Sequence, residues 1–298
     1  MPATTFATGL GAPEGPISLP DGSMYVTEMS TETSCVTHLN PQGRKRVIRK
    51  TGGRPNGLAL DGDGNIWIAE AILRAVICVD PQGREIMRID GDERDRFLFP
   101  NDLAFGPDGH LYMTDSGMIA GDFISGQNFV ENFMDLHWDG RVYELDPKSG
   151  RILRQIDRGI RFTNGIAFDG ANRLYANASF TGEVYCYDVF GMGAPRRELF
   201  GNVLQRDDRP VFRGPDGMKF GADGRLYCTV YNQGNVTVLG HDGQVADRLM
   251  LAGDQPTNCA FSVDGTTLLV PEVSKGQLGA LPAPCAGLTL HAPRLGRG

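Results

Sequence analysis

Along most of the chain, short apolar runs are separated by polar, glycine-rich turns, the pattern of β-strands joined by tight connections. In RPNGLALDGDGNIWIAE an apolar run, an Asp-Gly turn and a second apolar run follow one another, which predicts an antiparallel hairpin. The same design occurs six times, at 12–28, 54–70, 99–115, 162–178, 214–230 and 255–272. A third run usually follows (CVTHL, AVICV, RVYEL, EVYCY, NVTVL), and then a fourth (RKRVIRK, REIMRID, RILRQID, RRELF, QVADRLM). No stretch carries a sustained helical period. Four antiparallel strands repeated six times, at spacings of roughly 40 to 60 residues, predict an all-β fold. The expected architecture is a six-bladed β-propeller with four-stranded antiparallel blades, a single domain over residues 1–298. After the sixth hairpin only GQLGALPA and GLTLHA remain, so the last blade is short of its outer strand. The segment TTFATG resembles the outer strands, and the N-terminal strand is therefore expected to pair with the C-terminal blade and close the ring.

Composition sharpens this reading. Glycine accounts for 40 of 298 residues, about twice the ~7% of average usage, and without a Gly-X-Y period that excess implies many tight turns. Lys and Arg total 29 against 36 Asp and Glu, a net charge of −7, which leaves no electrostatic footprint for nucleic acid. The six cysteines form no C-x-x-C pair and mostly lie in apolar runs, as expected of free thiols in a reducing compartment. No apolar stretch approaches the ~18 residues that span a bilayer, and the first 20 residues lack Lys, Arg and a long apolar core. A cytoplasmic monomer or homodimer without a membrane partner is expected.

In an antiparallel meander the start of the innermost strand and the end of the second strand lie on one face. Two sets of residues should therefore converge there. The first comprises Glu14, Asn56, Asn101, Asn164, Asp216 and Thr257, each just before an inner strand; the second comprises Glu28, Glu70, Asp115, Ala178, Val230 and Glu272. Asn and Asp before a strand commonly serve turns. As a ring, however, two carboxylates and three asparagines around one axis would repel unless a cation lies among them. Oxygen donors without His or Cys suit a hard cation, so Ca²⁺ is favoured, with Mg²⁺, Mn²⁺ and Zn²⁺ as alternatives.

The phrases APEGP, PNDLAFGPDGHLYMTD, TNGIAF and GPDGMKF resemble the SMP-30/gluconolactonase family, including bacterial lactonases, across essentially the whole chain. The resemblance implies a six-bladed propeller with a central divalent metal. By the same resemblance the metal ligands are Glu14, Asn164 and Asp216, and Asn101 matches an asparagine that binds metal or substrate. One departure stands out: Phe99-Pro100-Asn101 replaces the Arg-x-Asn common among sugar lactonases, which makes a more apolar lactone plausible.

The third repeat carries an insertion at about 116–140. From Asp115 to Asp146 there are 31 residues, against 12 and 10 over the corresponding stretches of the first two repeats. Loops this long are usually functional, and Phe123, Ile124, Phe129, Phe133, Met134 and Trp138 make this one a candidate substrate lid or contact surface. Asn56, Phe99, Asn101, Asp115, His137 and Trp138 are the expected substrate contacts. Neither a G-x-S-x-G elbow nor an H-E-x-x-H pair is present. The expected activity is metal-dependent opening of a small lactone, with Asp216 as ligand and general base. Phosphotriester or fluorophosphate hydrolysis at the same centre, and a non-enzymatic ligand-binding propeller, are the alternatives.

Overall fold

A computed structural model describes residues 4–92, 96–125, 128–206, 208–209 and 211–296. Six four-stranded antiparallel sheets follow one another around an axis, and every inner strand belongs to one of the six repeated phrases. The inner strands of blades one to five are Pro13–Ser18, Pro55–Leu60, Pro100–Phe105, Thr163–Phe168 and Gly214–Phe220, and blade six begins with the short Ala260–Phe261. Second strands such as Ile66–Glu70 and Leu111–Asp115 are buried along their whole length because neighbouring blades cover both faces. Outer strands such as Lys45–Lys50 flank Val47 and Ile48 with charged residues and face solvent.

The sixth blade is completed by the chain's first strand. Thr4–Thr8 runs antiparallel to Gln277–Pro282, pairing Thr4 with Ala280 and Thr8 with Gln277. Phe6, Ala7 and Leu10 then pack with Met24, Val26, Leu269 and Leu278, joining blade six to blade one. The GLTLHA segment forms no strand. The place beside Gln277–Pro282 is taken by Thr4–Thr8, and Pro282 and Pro284 just before the segment offer no N–H to a ladder. Residues 283–296 instead run as a strap across the end of the axis opposite the six ring residues. There Leu288 N donates to Phe220 O (2.9 Å) and Gly62 N to Pro293 O (2.8 Å).

Each inner strand of blades one to five breaks register just after its ring residue, for example between Glu14 and Ile17 and between Asn101's neighbour Pro100 and Leu103. These β-bulges turn the strand and aim one side chain per blade at the axis. All six cysteines are free, and five are buried. Among the described residues no helix is long and apolar enough to cross a membrane.

Deleting residues 1–8 removes a whole ladder and its share of the blade-one junction. With about 1 kcal/mol per lost hydrogen bond, the expected cost is about 3 kcal/mol or more, seen as a lowered Tm in a single cooperative transition. An unchanged Tm would show that the ring holds without this strand.

Candidate metal and substrate site

The bulges bring five blades' ring residues to one cavity. Glu14, Asn56, Asn101, Asn164, Asp216 and Thr257 all line it, together with Phe99, in a space of about 100 Å³. The ring is held from below by hydroxyls just past the second strands and by the amide of Asn258 beside Thr257. Asn101 Nδ2 donates to Ser116 Oγ (2.9 Å) and Asn164 Nδ2 to Ser179 Oγ (3.2 Å), while Asn258 Nδ2 donates to Glu14 Oε1 (2.7 Å). Each of these bonds turns an oxygen of the ring residue the other way. Glu14 Oε2 and Asn164 Oδ1 are consequently buried acceptors with no hydrogen-bond partner. Two such oxygens at one cavity, from blades one and four, are an arrangement that buried polar groups avoid unless something else satisfies them.

Electrostatics at the ring are set first by burial and then by the crowding of acids. Burial, then the charges of Asp102 and Asp216, push the Glu14 carboxyl well above its ordinary pKa. Burial, then Asp102, push Asp216 up in the same way, and the Asn164 amide pulls it partly back. Asp102 occupies the place that glycine takes in four other repeats. It lies directly beneath the ring with Lys219 Nζ 4.0 Å from its Oδ2.

Three residues expected at the substrate are not part of the cavity wall. Asp115 accepts from the backbone N–H groups of Leu98 (2.6 Å), Phe99 (3.0 Å) and Gly117 (2.9 Å), so its carboxylate is consumed in fixing the chain on either side. The other acids at second-strand ends do the same. Glu28 receives Gly11 N, Glu70 receives Leu73 N, and Glu272 receives Gln255 N and Lys275 N, all at 2.7 to 2.8 Å. Trp138 is buried behind the wall, stacked on Phe162 (4.8 Å, 10°) and donating from Nε1 to Phe133 O (2.8 Å). His137 is exposed on the loop.

The insertion folds into a short helix Ala120–Phe123, a two-residue ladder and a turn Phe133–Asp135, and it caps the ring. Phe123, Ile124 and Phe129 reach the cavity, and Phe123, Phe133 and Trp138 join Phe99, Phe162, Phe180 and Phe212 in one aromatic cluster. Sequence reasoning missed Arg54, Phe212 and Tyr231, which also line the cavity. A signal for the first was present: Arg54, Phe99 and Phe162 each stand two residues before a ring residue. Nothing in the repeat marks Phe212, which lies in the irregular connection before blade five.

The family model for the SMP-30/Gluconolactonase/LRE-like region matches residues 90–272. A gluconolactonase from Zymomonas mobilis is 27% identical over 90% of this chain and 78% of its own length. Among solved structures, a gluconolactonase from Xanthomonas campestris superposes with a TM-score of 0.77 at 20% identity, covering 95% of this chain and 89% of the other. Regucalcin from Agrobacterium tumefaciens, a calcium-binding protein, gives 0.76 at 18% identity over 99% and 98%. With its propeller, its ring of oxygen donors and a family match over more than half its length, the chain belongs to the SMP-30/gluconolactonase/LRE-like family.

Proposed function

We propose that this protein is a metal-dependent hydrolase that opens a small lactone. The observation that carries the reading is the pair of unpartnered buried oxygens, Glu14 Oε2 and Asn164 Oδ1, beside Asp216 and Asn101 at one cavity. Those four residues would hold a divalent cation, and their all-oxygen donor set suits Ca²⁺. The calcium binding of the Agrobacterium regucalcin supports the same choice of ion. A cation bound there supplies Lewis-acid polarisation of the lactone carbonyl and acidifies a water.

The chain's own residues do the rest. Asn56 orients the ester oxygens from the ring, and the aromatic cap keeps bulk water from the carbonyl carbon. Asp216 takes a proton from the attacking water as the new C–O bond forms, and returns it to the departing ring oxygen when the ester C–O bond breaks. The product is the open hydroxy acid. Glu14, tied to Asn258, stays a ligand throughout.

Asp216→Asn is expected to lower kcat/KM for lactones about 10²- to 10⁴-fold with an unchanged circular dichroism spectrum. The check is a pH-stat panel of sugar, aliphatic and aromatic lactones, run beside a phosphotriester and a fluorophosphate. Full turnover by Asp216→Asn, or by wild type stripped of metal, would sink the mechanism.

The raised carboxyls also make stability depend on pH. Because Glu14 and Asp216 hold protons in the cation-free folded state more tightly than in the unfolded chain, they make that state lose stability as pH rises from the unfolded carboxylate range near 4. A divalent cation removes the repulsion. Added Ca²⁺ should therefore raise Tm by a few degrees more at pH 8 than at pH 5. Equal shifts at both values would mean that the ion binds elsewhere.

A further inference from the structure

Arg54 is the one cationic side chain, among the described residues, in the wall of the ring cavity. No described residue hydrogen-bonds its guanidinium or pairs with it; Tyr231, Asp216, Glu14 and Glu70 act on it only through longer-range charge. A fork of five donors is thus held at the cavity without a partner. Tyr231 also lines the cavity, and burial, then the Asp216 charge, push its phenol up to about 12, so at neutral pH it is an intact O–H donor.

The remaining wall points to what these donors meet. Above the ring it is Phe99, Phe123, Phe129, Phe162 and Phe212, with Ile124, none of which can satisfy a hydroxyl. A polyhydroxylated ring would leave several of its groups unpaired against these rings, which is costly in a closed site. Charge gives the same indication. Asp102 lies opposite Lys219, and a divalent cation would match Glu14 and Asp216, so within the cavity wall Arg54 has no carboxylate of its own, and Glu70, outside that wall, acts on it only at longer range.

We propose that Arg54, aided by the Tyr231 hydroxyl, anchors a carboxylate on the substrate, so that the lactone opened is small, monocarboxylated and otherwise apolar rather than a sugar lactone. This deepens the hydrolase reading and rests on it for the reaction, but not for binding. A guanidinium meets a carboxylate through two parallel N–H···O bonds, and the hydroxyl would add a third donor.

The test compares γ-carboxy-γ-butyrolactone, its methyl ester and glucono-δ-lactone as substrates. Calorimetric titration with cyclopentanecarboxylate, in the presence and absence of Ca²⁺, adds a readout that needs no turnover. Wild type should prefer the acid to both competitors. Arg54→Gln should reduce the acid-to-ester ratio of kcat/KM about 10- to 100-fold, mainly through KM, and weaken cyclopentanecarboxylate binding by a similar factor. Arg54→Lys should recover part of both, since the charge remains but the fork is lost. Tyr231→Phe, which keeps the ring's volume, should weaken cyclopentanecarboxylate a few-fold and serves if the Arg54 variants do not fold.

Equal losses on acid and ester would make Arg54 a mere counter-charge to the ring and overturn the proposal. A preference for glucono-δ-lactone, or carboxylate binding indifferent to Arg54 and Tyr231, would also overturn it. If no lactone is opened yet cyclopentanecarboxylate binds in an Arg54-dependent way, the hydrolase reading fails and the anchor stands. Lactone turnover without any carboxylate preference would leave the hydrolase standing and remove the anchor.

Discussion

The structure depends on a set of side-chain clamps that tie the second-strand side of blades one, three, four and five to the inner strand of the next. Thr27 donates to Asn56 O, Ser116 to Thr163 O, Ser179 to Pro215 O, and Thr229 to Thr257 O, with Thr257 returning to Pro13 O. Because the inner strands bulge at the ring, their carbonyls would otherwise lack ladder partners in a dry interior, where an unmet backbone group is expensive. The clamps satisfy them and in doing so fix where each ring side chain starts. The oxygen ring is therefore held by the scaffold of the propeller, not by loops. That is the placement from which a chemical site gains most.

Such close approach has its own requirements. A Cβ at Gly57 would collide with the Asp102 carboxylate, and one at Gly217 with the Asn258 amide. Glycine after the ring residue is thus the condition for a second polar tier, Asp102, Asn258 and Lys219, to fit beneath the first. Burying acids so closely together raises their affinity for protons. The aromatic cap works in the opposite register. It is assembled from ring-on-ring contacts such as Trp138 on Phe162 and Phe129 on Phe133 (4.4 Å), and it contributes shape and dryness instead of charge.

Much of this was legible in the sequence because repetition exposes register. Six hairpin phrases located the blades, the orphan TTFATG located the closure, and the repeated oxygen-bearing position located the residues that line the cavity, which in blades one to five stand inside the start of the inner strand and not before it. Asp115 and its counterparts Glu28, Glu70 and Glu272 were misleading for a physical reason. A repeated acid is equally demanded by a repeated turn whose N–H groups need an acceptor, and only geometry shows which way the carboxylate faces. Arg54 and Tyr231 were hidden by non-equivalence. They come from blades two and five, on opposite sides of the ring, and nothing along the chain announces that both line the same cavity. Trp138 failed as a contact because its loop folds back on itself and buries the indole against Phe162 and the Phe133 carbonyl.

The C-terminal strap gives the axis a direction. Leu288, Leu290 and His291 lie over the inner-strand ends of five blades, among them Leu60, Phe105, Phe168 and Phe220, at the end of the axis remote from the ring. With Asp102 and Lys219 set beneath the ring, the two ends of the axis differ in kind: an apolar seat under the strap at one, oxygen donors under aromatic rings at the other. A sixfold repeat is thus given a polarity by two segments that lie outside the repeat, the strap and the insertion.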